Sequence, residues 1–157
     1  MQNPCDIISE FGSQVNESFD LFEKTRRETG FTICKVLDDS KLSTTSTCVG
    51  EKCFLTEKPC YDHKEVFGTF HTHPYGIFRP SPVDIKTALT FRMPFFCIGT
   101  ERNSKRNIKC FSINTEHPNF EITRHKILTA EGKELERLSE IAKKNFIKEF
   151  ECKLETT

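Results

Sequence analysis

Two histidines, a serine and an aspartate lie close together in the segment FGTFHTHPYGIFRPSPVD, residues 67–84. His71 and His73 are two residues apart on a predicted strand, so both rings project from the same face and can share one metal ion. Asp84 follows in the first turn of a predicted helix, where Ser81 and Asp84 also have the spacing of a capping box. The alternative is an exposed strand followed by a capped helix. The metal interpretation predicts a His71, His73 and Asp84 site with a fourth position for water, as in catalytic zinc sites.

A water molecule beside a metal needs a base, and Glu28 is the candidate. It directly precedes an apolar, strand-forming run, and Gly30 follows two residues later. Glycine lets two backbones approach closely, which would bring the Glu28 carboxylate toward the predicted histidine strand. The alternative is that Glu28 is only the last charge at the end of a helix.

Helices and strands are intermixed along the chain, with several hairpin-like connections. Helical spacing predicts a first helix from Asp6 to Arg27 that can break near Gly12, and SPVDIKTALTF carries a strong helix start. The segments GFTICKVL, STTSTCVGEKCFL, VFGTFHTH, FFCIGT and IKCFSIN are typical of strands. A long C-terminal helix is predicted from Thr129 to about Glu151, with an apolar face of Leu135, Leu138, Ile141, Ala142, Phe146 and Phe150.

These elements predict one α+β domain over residues 1–157, with a core of about 6–123 and the C-terminal helix at about 129–151. We expect α-β-α layers, in which helices flank a mixed, largely antiparallel sheet.

Lysine plus arginine and aspartate plus glutamate are both 23, so the formal net charge is zero. This balance argues against nucleic acid as a partner. The start of the chain has no signal-like apolar run and no segment is apolar enough to span a membrane, so we expect a cytoplasmic protein.

Eight cysteines are spread from Cys5 to Cys152. Most are expected to be thiols, with Cys34, Cys97 and Cys110 buried in strands. Two alternatives concern a cluster in the first half of the chain: a second zinc site and a cross-strand disulfide between its first two cysteines. The residues of this cluster are Cys48, Cys53, Cys60 and His63.

Together, the candidate residues form the pattern E…H-x-H-x(7)-S-x-x-D. This pattern resembles the JAMM (MPN+) metalloprotease family, and the resemblance covers about residues 10 to 115. It implies a JAB/MPN-like fold with cytidine-deaminase-like architecture, and Zn²⁺ bound by His71, His73 and Asp84. Glu28 would act as general base and then general acid, and Ser81 would donate a hydrogen bond to the oxyanion.

The family hydrolyses amide or isopeptide bonds, often between lysine and the C-terminus of ubiquitin or a ubiquitin-like protein, so such a conjugate is the expected partner. The segment TCVGEKCFLTEKPCYDHKEV shows no clear helical period where members usually have a groove-forming helix, and the chain resembles a compact, prokaryotic-type member. Alternative substrates are a peptidoglycan peptide or a small sulfur-carrier protein. A non-catalytic MPN-like interaction domain is another alternative, against which the full ligand set argues. The oligomeric state is left open, with a homodimer as one alternative.

Overall fold

The structure is a computed structural model that describes residues 3–38, 40–50, 60, 64–74 and 76–153. Within these ranges the helices are α1 (Pro4–Ser9), α2 (Gly12–Thr25), α3 (Pro82–Thr90), α4 (Phe120–Ile127) and α5 (Gly132–Phe146). The strands are β1 (Thr29–Val36), β2 (Leu42–Thr44), β3 (Cys48–Val49), β4 (Lys64–Thr72), β5 (Phe95–Arg102), β6 (Lys105–Ile113) and β7 (Ile147–Cys152).

The strands form one seven-stranded sheet in the order β2-β1-β4-β5-β6-β7, and β3 pairs with β1. Only β4 and β5 run parallel among the described strands, and α3 lies in the connection between them. The other pairs are antiparallel. The sheet is therefore mixed and largely antiparallel, as the sequence predicts.

Helices cover both faces of the sheet. Side chains of α1 and α2 pack with one face of the central strands, through residues such as Phe19, Phe70 and Phe95. Side chains of α3, α4 and α5 pack with the other face, on which Phe96 and Ile98 lie. Because consecutive strand residues point to opposite faces, β5 is buried along nearly its whole length. The helices and the sheet make an α+β arrangement, and none of the described helices is long and apolar enough to cross a membrane.

The structure confirms one prediction about the helices and contradicts another. The first helix breaks close to Gly12, so that α1 and α2 are separate helices. The predicted C-terminal helix is too long, because α5 ends at Phe146 and the chain continues as β7, with Phe150 paired to Cys110. Pairing with β7 satisfies backbone groups that β6 would otherwise expose at a sheet edge, and this long-range gain overrides the local helical pattern.

Three disulfides join cysteines of the described residues: Cys5–Cys152, Cys34–Cys60 and Cys97–Cys110. The expectation that Cys34, Cys97 and Cys110 are thiols is therefore wrong. Strand register explains one of these bonds, because Cys97 and Cys110 are directly opposite partners in β5 and β6. Spacing along the sequence does not reveal which residues face each other across two strands.

The close approach of β1 and β4 at Gly30 can be tested by substitution. It pairs with His71, and a Cβ atom at this position would overlap the carbonyl oxygen of Phe70 and lie 2.9 Å from the His71 Cα. Because backbone atoms cannot move aside as a flexible side chain can, we expect Gly30→Ala to lower the free energy of unfolding by about 1–3 kcal/mol. Chemical denaturation measures this change.

Gly12→Ala is the matched control for this substitution. An added Cβ at Gly12 meets no atom within 4 Å, and the residue lies at the start of α2. We expect its free energy of unfolding to stay within about 1 kcal/mol of the parent, with a tendency to increase. Equal effects of the two substitutions would contradict the close approach at Gly30.

Candidate metal centre

Three side chains from the end of β4 and the start of α3 converge on one point. The two histidine Nε2 atoms are 2.9 Å apart, the His71 Nε2 is 3.3 Å from Asp84 Oδ1, and the His73 Nε2 is 3.2 Å from Asp84 Oδ2. Two ligand atoms about 2.0 Å from one zinc ion, at the tetrahedral angle, lie about 3.3 Å apart. The spacing of the three side chains therefore fits a shared metal ion, and this group can hold one.

The end of β4 is fixed by hydrogen bonds on both sides. Thr72, between the two histidines, is buried on the opposite face, where its hydroxyl accepts a 2.9 Å hydrogen bond from the Thr29 N–H of β1. The N–H of His73, one residue past the strand, donates to the Gly99 carbonyl of β5 at 2.8 Å. Both histidines are thus held by neighbouring strands and not by a free loop.

Asp84 reaches the histidines because of the way α3 begins. Ser81 is the N-cap residue, and its Oγ accepts a 3.0 Å hydrogen bond from the Asp84 N–H. Asp84 Oδ2 in turn accepts a 2.8 Å hydrogen bond from the Ser81 N–H, which completes a capping box. Pro82 at the first helical position favours this start. The capping-box interpretation and the ligand interpretation of Asp84 are compatible, because the carboxylate that accepts from the Ser81 N–H also lies within 3.3 Å of both histidine Nε2 atoms.

The charges of the site keep Asp84 in the form that a metal ion needs. Burial raises the pKa of this carboxyl, but the two histidines more than offset burial and hold the pKa well below its usual range. Burial lowers the pKa of His71, whereas the carboxylates of Asp84 and Glu28 raise it, with a net increase. Asp84 is therefore an anion at neutral pH, as metal ligation requires.

Glu28 lines the same cleft as two of the three candidate ligands, His73 and Asp84. The cleft has a volume of about 650 Å³, and Glu28, His73, Ser81 and Asp84 are among the residues that line it. Glu28 directly precedes β1, two residues before the Gly30–His71 pair, and its charge contributes to the raised pKa of His71. The structure thus brings together all five residues of the sequence pattern.

The cleft also contains residues that the sequence analysis did not identify. Ile77 and Val83 are each 49% exposed, although both are large apolar side chains, and Arg79 is an exposed cation beside them. A second cavity of about 680 Å³ shares Ile77, Arg79 and Pro80 with this cleft. No sequence pattern pointed to these residues, because exposure of an apolar side chain depends on the fold around it.

The cysteine cluster is only partly described. Cys60 is bonded to Cys34 on β1, which removes it from the set of zinc ligands while that disulfide is present. Cys48 is also disulfide-bonded. Cys53 and His63 lie outside the described residues, so the predicted second zinc site and the predicted Cys48–Cys53 bond stay predictions.

No model of a protein family matches the chain, and no curated protein matches its sequence. The class that the structure itself defines is a mixed α/β domain with a mostly antiparallel sheet and a two-histidine, one-aspartate group that can hold a metal ion.

Removal of both histidines tests the metal centre directly. We expect the parent protein to bind about one metal ion per chain and His71→Ala/His73→Ala to bind none, because a lone carboxylate leaves too few ligands for a zinc-type site. Elemental analysis after dialysis against zinc measures the content. His125→Ala, which removes an exposed histidine of α4, should keep the ion. Metal retained by the double variant with its disulfides intact would disprove the assigned ligands.

Proposed function

We propose that this protein is a zinc-dependent hydrolase of peptide or isopeptide bonds, of the JAMM type. Its substrate is proposed to be a ubiquitin-like protein, removed from a lysine side chain or processed at its C-terminus. The observation that carries the proposal is the convergence of His71, His73 and Asp84, at 2.9–3.3 Å, in a cleft that Glu28 also lines. The connection of β4 to the parallel strand β5 through α3 supports it, because it folds Asp84 back onto the end of the histidine strand.

The donor set favours zinc over the harder divalent cations. Imidazole nitrogen suits zinc, whereas magnesium and calcium prefer oxygen ligands. Two histidines and one aspartate leave a tetrahedral site open at one position, the arrangement of catalytic rather than structural zinc. A bound zinc ion would supply Lewis-acid polarisation of the scissile carbonyl and a lower pKa for water.

Glu28 is the proposed proton carrier, because it lines the cleft and ends in a carboxylate. Its carboxylate takes a proton from the attacking water as the new carbon–oxygen bond forms. It then gives this proton to the amine nitrogen as the carbon–nitrogen bond breaks, so one water is consumed and the carboxylate is regenerated.

Ser81 supports the same reaction through its hydroxyl group. Its Oγ accepts from the Asp84 N–H, and within the described residues it donates no hydrogen bond. The hydroxyl proton can therefore be donated to the carbonyl oxygen as negative charge develops on it, a type of contact worth about 10²–10³ in kcat elsewhere.

The apolar rim of the cleft indicates how a substrate is held. Ile77 and Val83 expose large side chains to solvent beside the ligands, which costs free energy unless a substrate covers them. Arg79 adds a positive charge at the junction with the second cavity. An extended peptide with an apolar side chain next to the scissile bond would satisfy this surface.

Glu28→Gln separates catalysis from metal binding. We expect cleavage of a ubiquitin-like fusion or lysine conjugate to slow by at least about 10²-fold, because an amide cannot accept the proton from water. Zinc content should equal that of the parent. Glu65→Gln, on an exposed position of β4, is the matched control and should cleave at the parental rate. Unchanged cleavage by the Glu28→Gln protein would show that another group is the base.

Ile77→Ser tests the apolar rim. The side chain is about half exposed, so covering the remainder is worth roughly 1 kcal/mol and its loss should lower kcat/KM by about fivefold. Steady-state kinetics with a peptide substrate that has an apolar residue beside the scissile bond measures this. Ile122→Ser removes a 58% exposed side chain of α4 and should leave kcat/KM unchanged. Equal values for both variants would exclude Ile77 from substrate contact.

A further inference from the structure

A second group of sulfur ligands lies on the sheet face opposite the metal centre. The Sγ atoms of Cys5 in α1, Cys110 in β6 and Cys152 in β7 all lie within 4.8 Å of one another. The Cys110 and Cys152 sulfurs are 3.5 Å apart. Among the described residues, only this group and the His71 group bring three metal-binding side chains so close together.

Cys97 supplies a further sulfur next to the group, because it is bonded to one of its members. It is bonded to Cys110, and both residues are completely buried in the core between the sheet and α1. Sulfurs about 2.3 Å from one zinc ion at the tetrahedral angle lie about 3.8 Å apart. The Cys110–Cys152 spacing of 3.5 Å is already near this value, and the Cys5 sulfur lies within 4.8 Å of both. For the Cys97 sulfur to reach the same point, its side chain would have to rotate once the disulfides open.

We propose that the reduced form of this protein binds one Zn²⁺ through Cys5, Cys97, Cys110 and Cys152. The four residues come from α1, β5, β6 and β7, so the ion would hold the same elements together that the disulfides Cys5–Cys152 and Cys97–Cys110 join in the oxidised form. Four thiolates are the donor set of closed, structural zinc sites. This centre is therefore structural, in contrast to the open site of the His71 group.

A dithiol reductant converts the oxidised form to the reduced form. Two molecules of a dithiol reductant give four electrons and four protons to the two protein disulfides. Two protein S–S bonds break and four thiols form, while the two reductant molecules become two cyclic disulfides. Zinc binding then forms four Zn–S bonds and releases the four thiol protons.

The inference does not depend on the proposed hydrolase activity. The His71→Ala/His73→Ala protein, which lacks the first site, serves as the background in which zinc is counted. With its disulfides intact it should bind no zinc, whereas after anaerobic reduction with a dithiol in the presence of Zn²⁺ it should bind one ion per chain. Elemental analysis after gel filtration gives the count. Replacement of zinc by Co²⁺ should give the intense visible and charge-transfer bands of a tetrahedral thiolate complex.

Two further cysteine pairs locate the ion. On the same background, Cys5→Ser/Cys152→Ser should lose the zinc of the reduced form. Cys34→Ser/Cys60→Ser, which removes a disulfide whose two cysteines are absent from the sulfur group, should keep it. Circular dichroism verifies that each variant is folded. The Co²⁺ spectrum of the reduced background protein gives the ligand type without any cysteine substitution.

Three results would overturn the proposal. A reduced background protein that binds no zinc overturns the proposal, whether it stays folded or unfolds. Zinc lost from Cys34→Ser/Cys60→Ser but kept by Cys5→Ser/Cys152→Ser also overturns it, because the ion would then belong to the Cys48, Cys53, Cys60 and His63 cluster. A Co²⁺ spectrum without thiolate bands has the same consequence.

Discussion

The contact between β1 and β4 at Gly30 is the constraint on which the rest of the site depends. Gly30 faces His71 at a separation that leaves no space for a side chain. This contact sets where β1 begins and therefore where the Glu28 carboxylate lies. The neighbouring pair, Thr29 and Thr72, fixes the same two strands through buried hydrogen bonds. Glu28, at the start of one strand, and the two histidines, at the end of another, are thus positioned by backbone pairing, which does not rely on flexible side chains.

The start of α3 solves a second problem, the partial burial of a carboxylate. A buried anion is unfavourable unless donors and cations surround it. Asp84 accepts a hydrogen bond from the Ser81 N–H and lies beside two imidazole rings, which lower its pKa, and it in turn raises the pKa of His71. Because the helix cap already fixes the carboxylate, a metal ion at this group would require little reorganisation.

Local patterns made much of the site predictable from the sequence. The two-residue spacing of the histidines and the three-residue spacing of Ser81 and Asp84 each follow from the geometry of a single element. Strand β7 and the bond between Cys97 and Cys110 were not predictable, because both depend on which residues face each other across β6. The exposure of Ile77 and Val83 likewise depends on the packing of the whole domain. The register between strands that are distant in the sequence is the feature that is hardest to predict from a single sequence.

The bond between Cys5 and Cys152 has a mechanical consequence. It links positions separated by 147 residues, near the two ends of the described chain, and so closes almost the whole domain into a covalent ring. When the two ends of the described chain are pulled apart, the force passes through this bond and not through the hydrogen bonds of the sheet. An unfolding motor that threads the polypeptide would have to translocate two strands at once. Resistance to such threading therefore depends on whether the Cys5–Cys152 disulfide is intact, and not on the free energy of unfolding of the domain.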